Sequence, residues 1–419
     1  MNSEDTLKKL EKNFNAYIQR YMIQQKLTKL LDPIFDYFIS YDMKYYIVGG
    51  IVRDYILGRN PKDLDIAYEG NFEDVVKFLK WNCKYHYVVN NTFQTIKIYF
   101  NNNEIDLINC RSERYLGPGA LPQVKSDSVY EDMRRRDLTV NSIAYSMADR
   151  RFIDIFDGVR DLRSKLIKLN YADSLIDDPT RLLRAMRYKS RYKFKYEPIT
   201  KTIMDNCMSD RLLDNISKDR LLNEFVKMLD ETDIAGVFME LDDFGVLEYF
   251  MPKCIVDTNF KERLDQFIAI RQQTRNNLLL LYYIFDEYTP FFEQAFNHSK
   301  KMAIDLKNIA PLKREIRQLS IHSTPSELYN VFSKYSDSLL KIAYCLDKSK
   351  VRDLLDFYSK ILKHVKCPIN GTDLISYGIT DGLAIKSILK KALDDTLDDK
   401  NLMLTKDEII KKYTQSVLL

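Results

Sequence analysis

Apolar residues recur at helical spacing through the first 40 positions, with Leu27, Leu30, Leu31, Ile34 and Phe35 on one side, so the pattern predicts a helical lead-in over 1–40. At 45–48 it changes to a β-branched and aromatic run, stopped by Gly49 and Gly50 and followed by helical spacing over 51–57. This reads as strand, glycine turn, helix. Runs at 64–68, 95–100 and 104–108 also have strand composition, which makes the first 150 residues a mixture of α and β. Beyond about Asp161, leucine, isoleucine and tyrosine patterns with few glycines predict nearly continuous helix and no further strand. The expected class is therefore α+β, a small mixed sheet near the N-terminus followed by an all-helical remainder. Polar breaks near 230–233 and 297–301 predict seams in that remainder, and no fixed-period repeat or low-complexity linker interrupts it.

Composition narrows the picture. At about 150 residues per domain, 419 residues predict two to four packed units. Apolar residues at 45% and charged residues at 30% exclude wholesale disorder. The longest apolar run, 278–285, falls far short of the ~20 residues that span a bilayer, and the first 30 residues lack the apolar block of a secretory signal. No membrane partner and a cytoplasmic location are expected. Six cysteines are scattered without a CxxC pair, which predicts reduced structural thiols rather than a zinc site. A net charge of +4 does not by itself argue for a polyanionic partner, but its distribution does. Residues 181–195 hold seven basic and no acidic side chains, and over 300–366 basic residues outnumber acidic ones by 14 to 7.

The candidate chemistry concentrates at 47–70, IVGGIVRDYILGRNPKDLDIAYEG. Alternate residues of a strand share a face, so Asp63 and Asp65 in Asp-Leu-Asp present two carboxylates toward one point, a donor pair suited to magnesium (Mg2+) and phosphate oxygens. Gly49 and Gly50 precede a helix start, where bare backbone N–H groups can approach a phosphate, and Arg53 follows in the first turn. Taken singly, a tight glycine turn and a solvated acidic strand end explain the same residues. Further on, Arg181, Arg184 and Arg187 are spaced by three and fall along one helix face, as either a phosphate-binding row or a solvated basic one.

The combination resembles the first signature of class II tRNA nucleotidyltransferases and bacterial poly(A) polymerases, within the polymerase-β-like superfamily. Later segments resemble that family's motifs in order. In 131–145, EDMRRRDLTVNSIAY, Arg135, Arg136, Asp137, Thr139 and Asn141 match, with Leu138 where phenylalanine is common. The stretch 157–168, DGVRDLRSKLIK, is similar to the third motif. In 177–188, DDPTRLLRAMRY, the family's Glu-Asp-x-x-Arg stands as Asp177, Asp178 and Arg181. The segment 216–230 resembles the next motif and is expected to pack only, while 368–394 resembles a shared tail segment.

The resemblance implies a catalytic nucleotidyltransferase head over 41–160, a helical neck for nucleotide recognition over 161–230, a helical body over 231–299 and a tRNA-binding helical tail over 300–419. It implies stepwise addition of CMP, CMP and AMP from CTP and ATP to the 3′ end of tRNA, gripped at its acceptor stem, with Mg2+ as cofactor. Catalysis would fall to Asp63, Asp65 and Asp106, with Asp63 and Asp65 as metal ligands and Asp106 as a third superfamily carboxylate or a solvated strand end. Nucleotide binding would fall to Gly49, Gly50, Arg53, Arg135, Arg136, Asp137, Asn141, Asp178, Arg181, Arg184 and Arg187. Asp178 and Arg181 would offer Watson–Crick-like hydrogen bonds in place of a template. The glycine- and proline-bearing stretch 111–132 is expected to be a loop, with a family role in switching between cytidine and adenosine. Rival readings are an A-adding or CC-adding relative, a poly(A) polymerase, and a noncatalytic RNA-binding protein that keeps the fold. Four histidines and no His-Asp dipeptide predict no metal phosphohydrolase activity, and the pattern carries no signal for oligomeric state.

Overall fold

The computed structural model describes residues 3–61, 63–347, 350–401 and 403–414; the ends of the expected lead-in and tail, 1–2 and 415–419, lie outside the described residues. Two units partition the chain, one ending at Tyr249 and the next beginning at Phe250.

The first unit opens with helices α1 (Ser3–Gln24) and α2 (Thr28–Ser40), followed by strand β1 (Lys44–Val48), helix α3 (Gly50–Ile56) and strand β2 (Leu64–Glu69). Helix α4 (Phe72–Asn82), β3 (Tyr87–Asn90), β4 (Thr95–Phe100) and β5 (Asn103–Asn109) come next. The stretch expected to be a loop instead forms a hairpin, β6 (Arg111–Arg114) with β7 (Gln123–Ser126), and the short helix α5 (Val129–Arg134). Strands β8 (Ala144–Ser146) and β9 (Arg151–Ile153) complete a seven-stranded sheet in the order β3-β4-β5-β2-β1-β8-β9. The sheet is mixed because β2 and β5 run parallel while the other neighbours run antiparallel.

Phe14 of α1 is fully buried and meets Tyr55, Tyr145 and Phe152 edge-on or tilted, and Glu11 Oε1 accepts from the Phe152 backbone N–H at 2.9 Å. The lead-in is thereby fixed to the sheet by an aromatic cluster rather than trailing from it.

After the sheet come α6 (Gly158–Ser164), β10 (Leu166–Ile167), α7 (Ser174–Asp177), α8 (Thr180–Tyr192), β11 (Lys195–Tyr196), α9 (Pro198–Ser209), α10 (Lys218–Leu229) and α11 (Ile234–Asp243). The pair β10–β11 is parallel and corrects the expectation of no strand after 161. Left-handed backbone at Lys165 and Lys193 ends the preceding helices and turns two residues of each segment into register. The polar break at 230–233 lies inside this unit, where Asp233 caps α11 by accepting from the Gly236 N–H at 3.0 Å and α11 packs on α8.

The second unit is helical among its described residues, with helix Thr258–Thr274 packed on Asn277–Ile284 and on Asp337–Leu346. A separate buried cluster of Ile369, Leu374, Ile379, Ile388, Ile409, Ile410 and Tyr413 closes its C-terminal helices. Among the described residues no helix is long and apolar enough to cross a membrane, and all six cysteines are free thiols.

Candidate nucleotidyl-transfer site

Strand β1 delivers the chain to Gly49, whose φ of +73° suits glycine. Val48 stands opposite Asp65 in the β1–β2 register, so the turn lies directly over that carboxylate. A Cβ on Gly49 would sit 2.5 Å from Asp65 Oδ2, so a side chain there would force that carboxylate to move. Asp65 is partnered in register by Asp106 on β5, and Asp106 by Lys97 on β4, giving an acid, acid, base row across three strands. Lys97 Nζ lies 3.3 Å from Asp106 Oδ1 and 2.8 Å from Glu104 Oε2. Burial, followed by the Asp106 carboxylate, pushes Asp65 up to about 6. Asp63, one residue before β2, is exposed at the same edge.

A cavity of ≈ 380 Å³ opens beside Asp65. Eleven of the fourteen expected site residues line it: Gly49, Gly50, Arg53, Asp65, Arg135, Arg136, Asp137, Asn141, Asp178, Arg181 and Arg184. Its walls are tied by charge-assisted bonds. Buried Asp132 accepts from Arg135 at 2.6 Å and Arg136 at 2.9 Å, and Glu113 accepts from Arg135 at 3.0 Å. Asn141 bridges, accepting from Arg53 Nη1 at 2.7 Å through Oδ1 and donating to Asp137 Oδ1 at 3.1 Å through its amide. Asp137 also accepts from Arg184 Nε at 2.6 Å. Burial opposes the charged form of Asp137, yet Arg184 and Asn141 hold it down at about 2.

Three expected residues are placed elsewhere. Asp106 lines neither this cavity nor its neighbour and acts on Asp65 from the adjacent strand. Asp63 and Arg187 line a neighbouring cavity of ≈ 540 Å³, which shares Asp65, Gly50, Arg53 and Tyr188 with the first. Arg187 leaves the row because steps of three fall short of a full turn by about 60° each, so six residues rotate the side chain about 120° from Arg181. It is buried between Glu224 at 3.4 Å and Glu231 at 3.7 Å.

Arg181, expected to face a base, donates to Tyr171 Oη at 2.8 Å, Ser174 Oγ at 2.9 Å, Tyr115 Oη at 3.2 Å and the Arg135 carbonyl at 2.7 Å. Asp178 Oδ1 accepts from the Thr180 N–H and hydroxyl and from Arg220 Nη2 at 2.8 Å. Sequence reasoning missed Arg220, since 216–230 was expected to pack only. It lines the cavity and its other guanidinium nitrogen donates to the Gly119 carbonyl at 2.7 Å. Its signal was a charged residue in the first turn of an otherwise apolar-faced helix. Glu113, Tyr115 and Tyr188 were also missed and also line the cavity.

Two segments match known families: 45–168 the poly(A) polymerase head domain, and 193–255 the probable RNA- and SrmB-binding site of polymerase A. Over those two segments the chain is similar to poly(A) polymerases. It is 27% identical over 395 residues to an A-adding tRNA nucleotidyltransferase of Geobacter sulfurreducens, covering 85% of this chain and 43% of that protein. The A-adding tRNA nucleotidyltransferase of Halalkalibacterium halodurans is 26% identical, with 83% of each chain covered. A solved CCA-adding enzyme in an apo form shares the fold at a TM-score of 0.67 and 24% identity, covering 95% of this chain and 98% of that one.

Magnesium is the cofactor the resemblance implies. Among the described residues no group of three or more His, Cys, Asp or Glu side chains forms a ready-made cage. Magnesium at phosphate-transfer sites takes one or two carboxylates and completes its shell with substrate phosphates and water. Asp63 and Asp65 fit that donor set, and the crowded negative charge at Asp65 has the sign a cation relieves.

Proposed function

We propose that the chain adds CMP, CMP and AMP from CTP and ATP to the 3′ end of tRNA without a nucleic-acid template. The supporting observation is that Asp65 lines both cavities. A triphosphate among the arginines of the first and an RNA end in the second would meet at one carboxylate.

The terminal 3′-hydroxyl attacks the α-phosphorus, a P–O bond forms, and the bond to pyrophosphate breaks as the hydroxyl proton leaves. Asp63 and Asp65 would hold magnesium, which when bound lowers the pKa of the attacking hydroxyl and neutralises the leaving group. Arg136 and Arg184, both lining the first cavity, offer the triphosphate positive charge. Base choice falls to Asp178 and Arg181. Cytosine and adenine both present an exocyclic amine where uracil and guanine present a carbonyl, so a carboxylate acceptor favours the first two. Asp178 Oδ2 is suited to that contact because its Oδ1 is already taken, while Arg181 is held in the cavity lining by its four partners. The basic run over 300–366 would hold the tRNA backbone by shape and charge.

A second reading, addition of the terminal A alone, is favoured by the A-adding names of the two relatives aligned over most of this chain. Transcripts ending at the discriminator base, after C and after CC, each given CTP, ATP or both, distinguish the readings at single-nucleotide resolution. Completion of CCA from every start is expected. Extension of the CC transcript alone would favour the second reading, a long A tract a poly(A) polymerase, and no incorporation from any start would overturn both.

A further inference from the structure

The first unit carries a third cavity of ≈ 440 Å³, bounded by Tyr17, Arg20, Tyr21, Gln24 and Gln25 on one side and by Asn60 and Pro61 on the other. Asn60 also lines the second cavity, as Asp65 joins the second to the first. The three therefore form a chain with the acidic edge at one junction and α1 at its far end. Tyr21 is pushed up by burial and by the Asp63 carboxylate, so the last turns of α1 lie close to that edge.

Transfer to an α-phosphorus is an in-line displacement, with attacking and leaving oxygens on opposite sides of the phosphorus. If the leaving pyrophosphate occupies the first cavity, the attacking hydroxyl and the strand that carries it arrive from the second. Most cations there are already neutralised: Arg187 and Arg191 by Glu231, Arg53 by Asp54, and Lys227 by Glu224. Two arginines differ. Arg59 is exposed, stacks its guanidinium 4.7 Å from the Tyr192 ring centroid and has no acidic partner among the described residues. Arg20 is exposed, donates only to the Ala16 carbonyl within its own helix and likewise has no acidic partner among the described residues. One stands in the second cavity and the other in the third, each beside tyrosine rings. Free guanidinium next to aromatic faces is the chemistry that binds single-stranded nucleic acid, with charge tracking the backbone and rings stacking on bases.

Resting on the function proposed above, we infer that α1 is part of the RNA-binding surface, and that Arg59, Arg20, Tyr17 and Tyr21 guide the last unpaired nucleotides of the RNA 3′ strand toward Asp63 and Asp65.

The test uses the full chain and a tRNA transcript ending in CC. Arg20→Ala/Arg59→Ala is expected to raise KM for the transcript about tenfold, the effect of ~1.4 kcal/mol of lost contact, with kcat and KM for ATP held within about twofold. Arg20→Lys/Arg59→Lys keeps the charge without the planar stack and is expected to recover part of the loss. A second arm places 4-thiouridine at the penultimate position of the RNA and maps the photocrosslink, expected in the peptide spanning 17–25 or at Tyr192. Unchanged KM for RNA in the alanine variant, or a crosslink confined to other peptides, overturns the inference. Incorporation by the unsubstituted protein reports separately on the function underneath, because the crosslink is read without turnover.

Discussion

Gly49 and Gly58 both have positive φ, +73° and +67°, and Gly49 adds a ψ of −135°, a combination close to the region that only glycine adopts. Their surroundings differ, since a Cβ at Gly58 meets nothing within 4 Å while one at Gly49 falls 2.5 Å from Asp65 Oδ2. Gly58→Ala is expected to cost ~1 kcal/mol of stability and leave nucleotide incorporation within about twofold. Gly49→Ala is expected to cost more, from its strained backbone, and to lower incorporation about 100-fold or more, because Asp65 must rotate away from the proposed phosphate site. Thermal melts alongside initial rates check both, and equal activity loss in the two variants would mean that the glycine serves the turn and not the carboxylate.

Between elements, the site is a set of ion pairs spanning α5, the segment after it, α8 and α10. Asp137 is the clearest linkage, bonded at once to Asn141 and to Arg184 of α8. Its folded pKa of about 2 lies below the unfolded value of about 3.9, so its contribution is full above the unfolded pKa and is lost as pH falls through the folded one. The shift of nearly two units corresponds to roughly 2–3 kcal/mol. Urea unfolding from pH 7 to pH 2 is expected to show the stability gap between the natural chain and Asp137→Asn narrowing by most of that amount, chiefly between about pH 4 and 2. A gap independent of pH would remove Asp137 as the source. How far such elements were legible depended on the length of the pattern that specified them. The β1–Gly49–α3 unit and strands β2, β4 and β5 were visible because each carries several apolar residues bounded by turns. The β10–β11 pair was not, since two residues cannot display a period. The hairpin β6–β7 was hidden by the Gly117, Gly119, Pro118 and Pro122 in its connection. Within the site, spacing identified the residues of 47–70, but it put Arg187 with Arg181 and overlooked Arg220, because a side chain's reach from a neighbouring helix leaves no local period to read.

For the molecule as a whole, a net charge of +4 conceals an uneven surface, and the second unit shows how much of it is available to a polyanion. Several of its lysines are internally paired, Lys334 with Glu315, Lys360 with Asp356 and Lys363 with Asp337. Along helix Lys300–Gln318, however, Lys300, Lys307 and Arg314 recur every seven residues, which is nearly two turns and keeps them on one side. Lys307 is paired with Glu293, whereas Lys300 and Arg314 are exposed and have no acidic partner among the described residues. If these two meet RNA phosphates, each releases a counterion on binding, and each contributes roughly 0.7–0.9 to the slope of log affinity against log salt. Lys300→Gln/Arg314→Gln is therefore expected to weaken tRNA binding severalfold at low salt and to flatten that slope by about 1.4–1.8, leaving KM for ATP unchanged. Filter binding over a salt series checks it. A parallel downward shift with the slope unaltered would mean that the helix supports the second unit's packing and does not touch the RNA backbone.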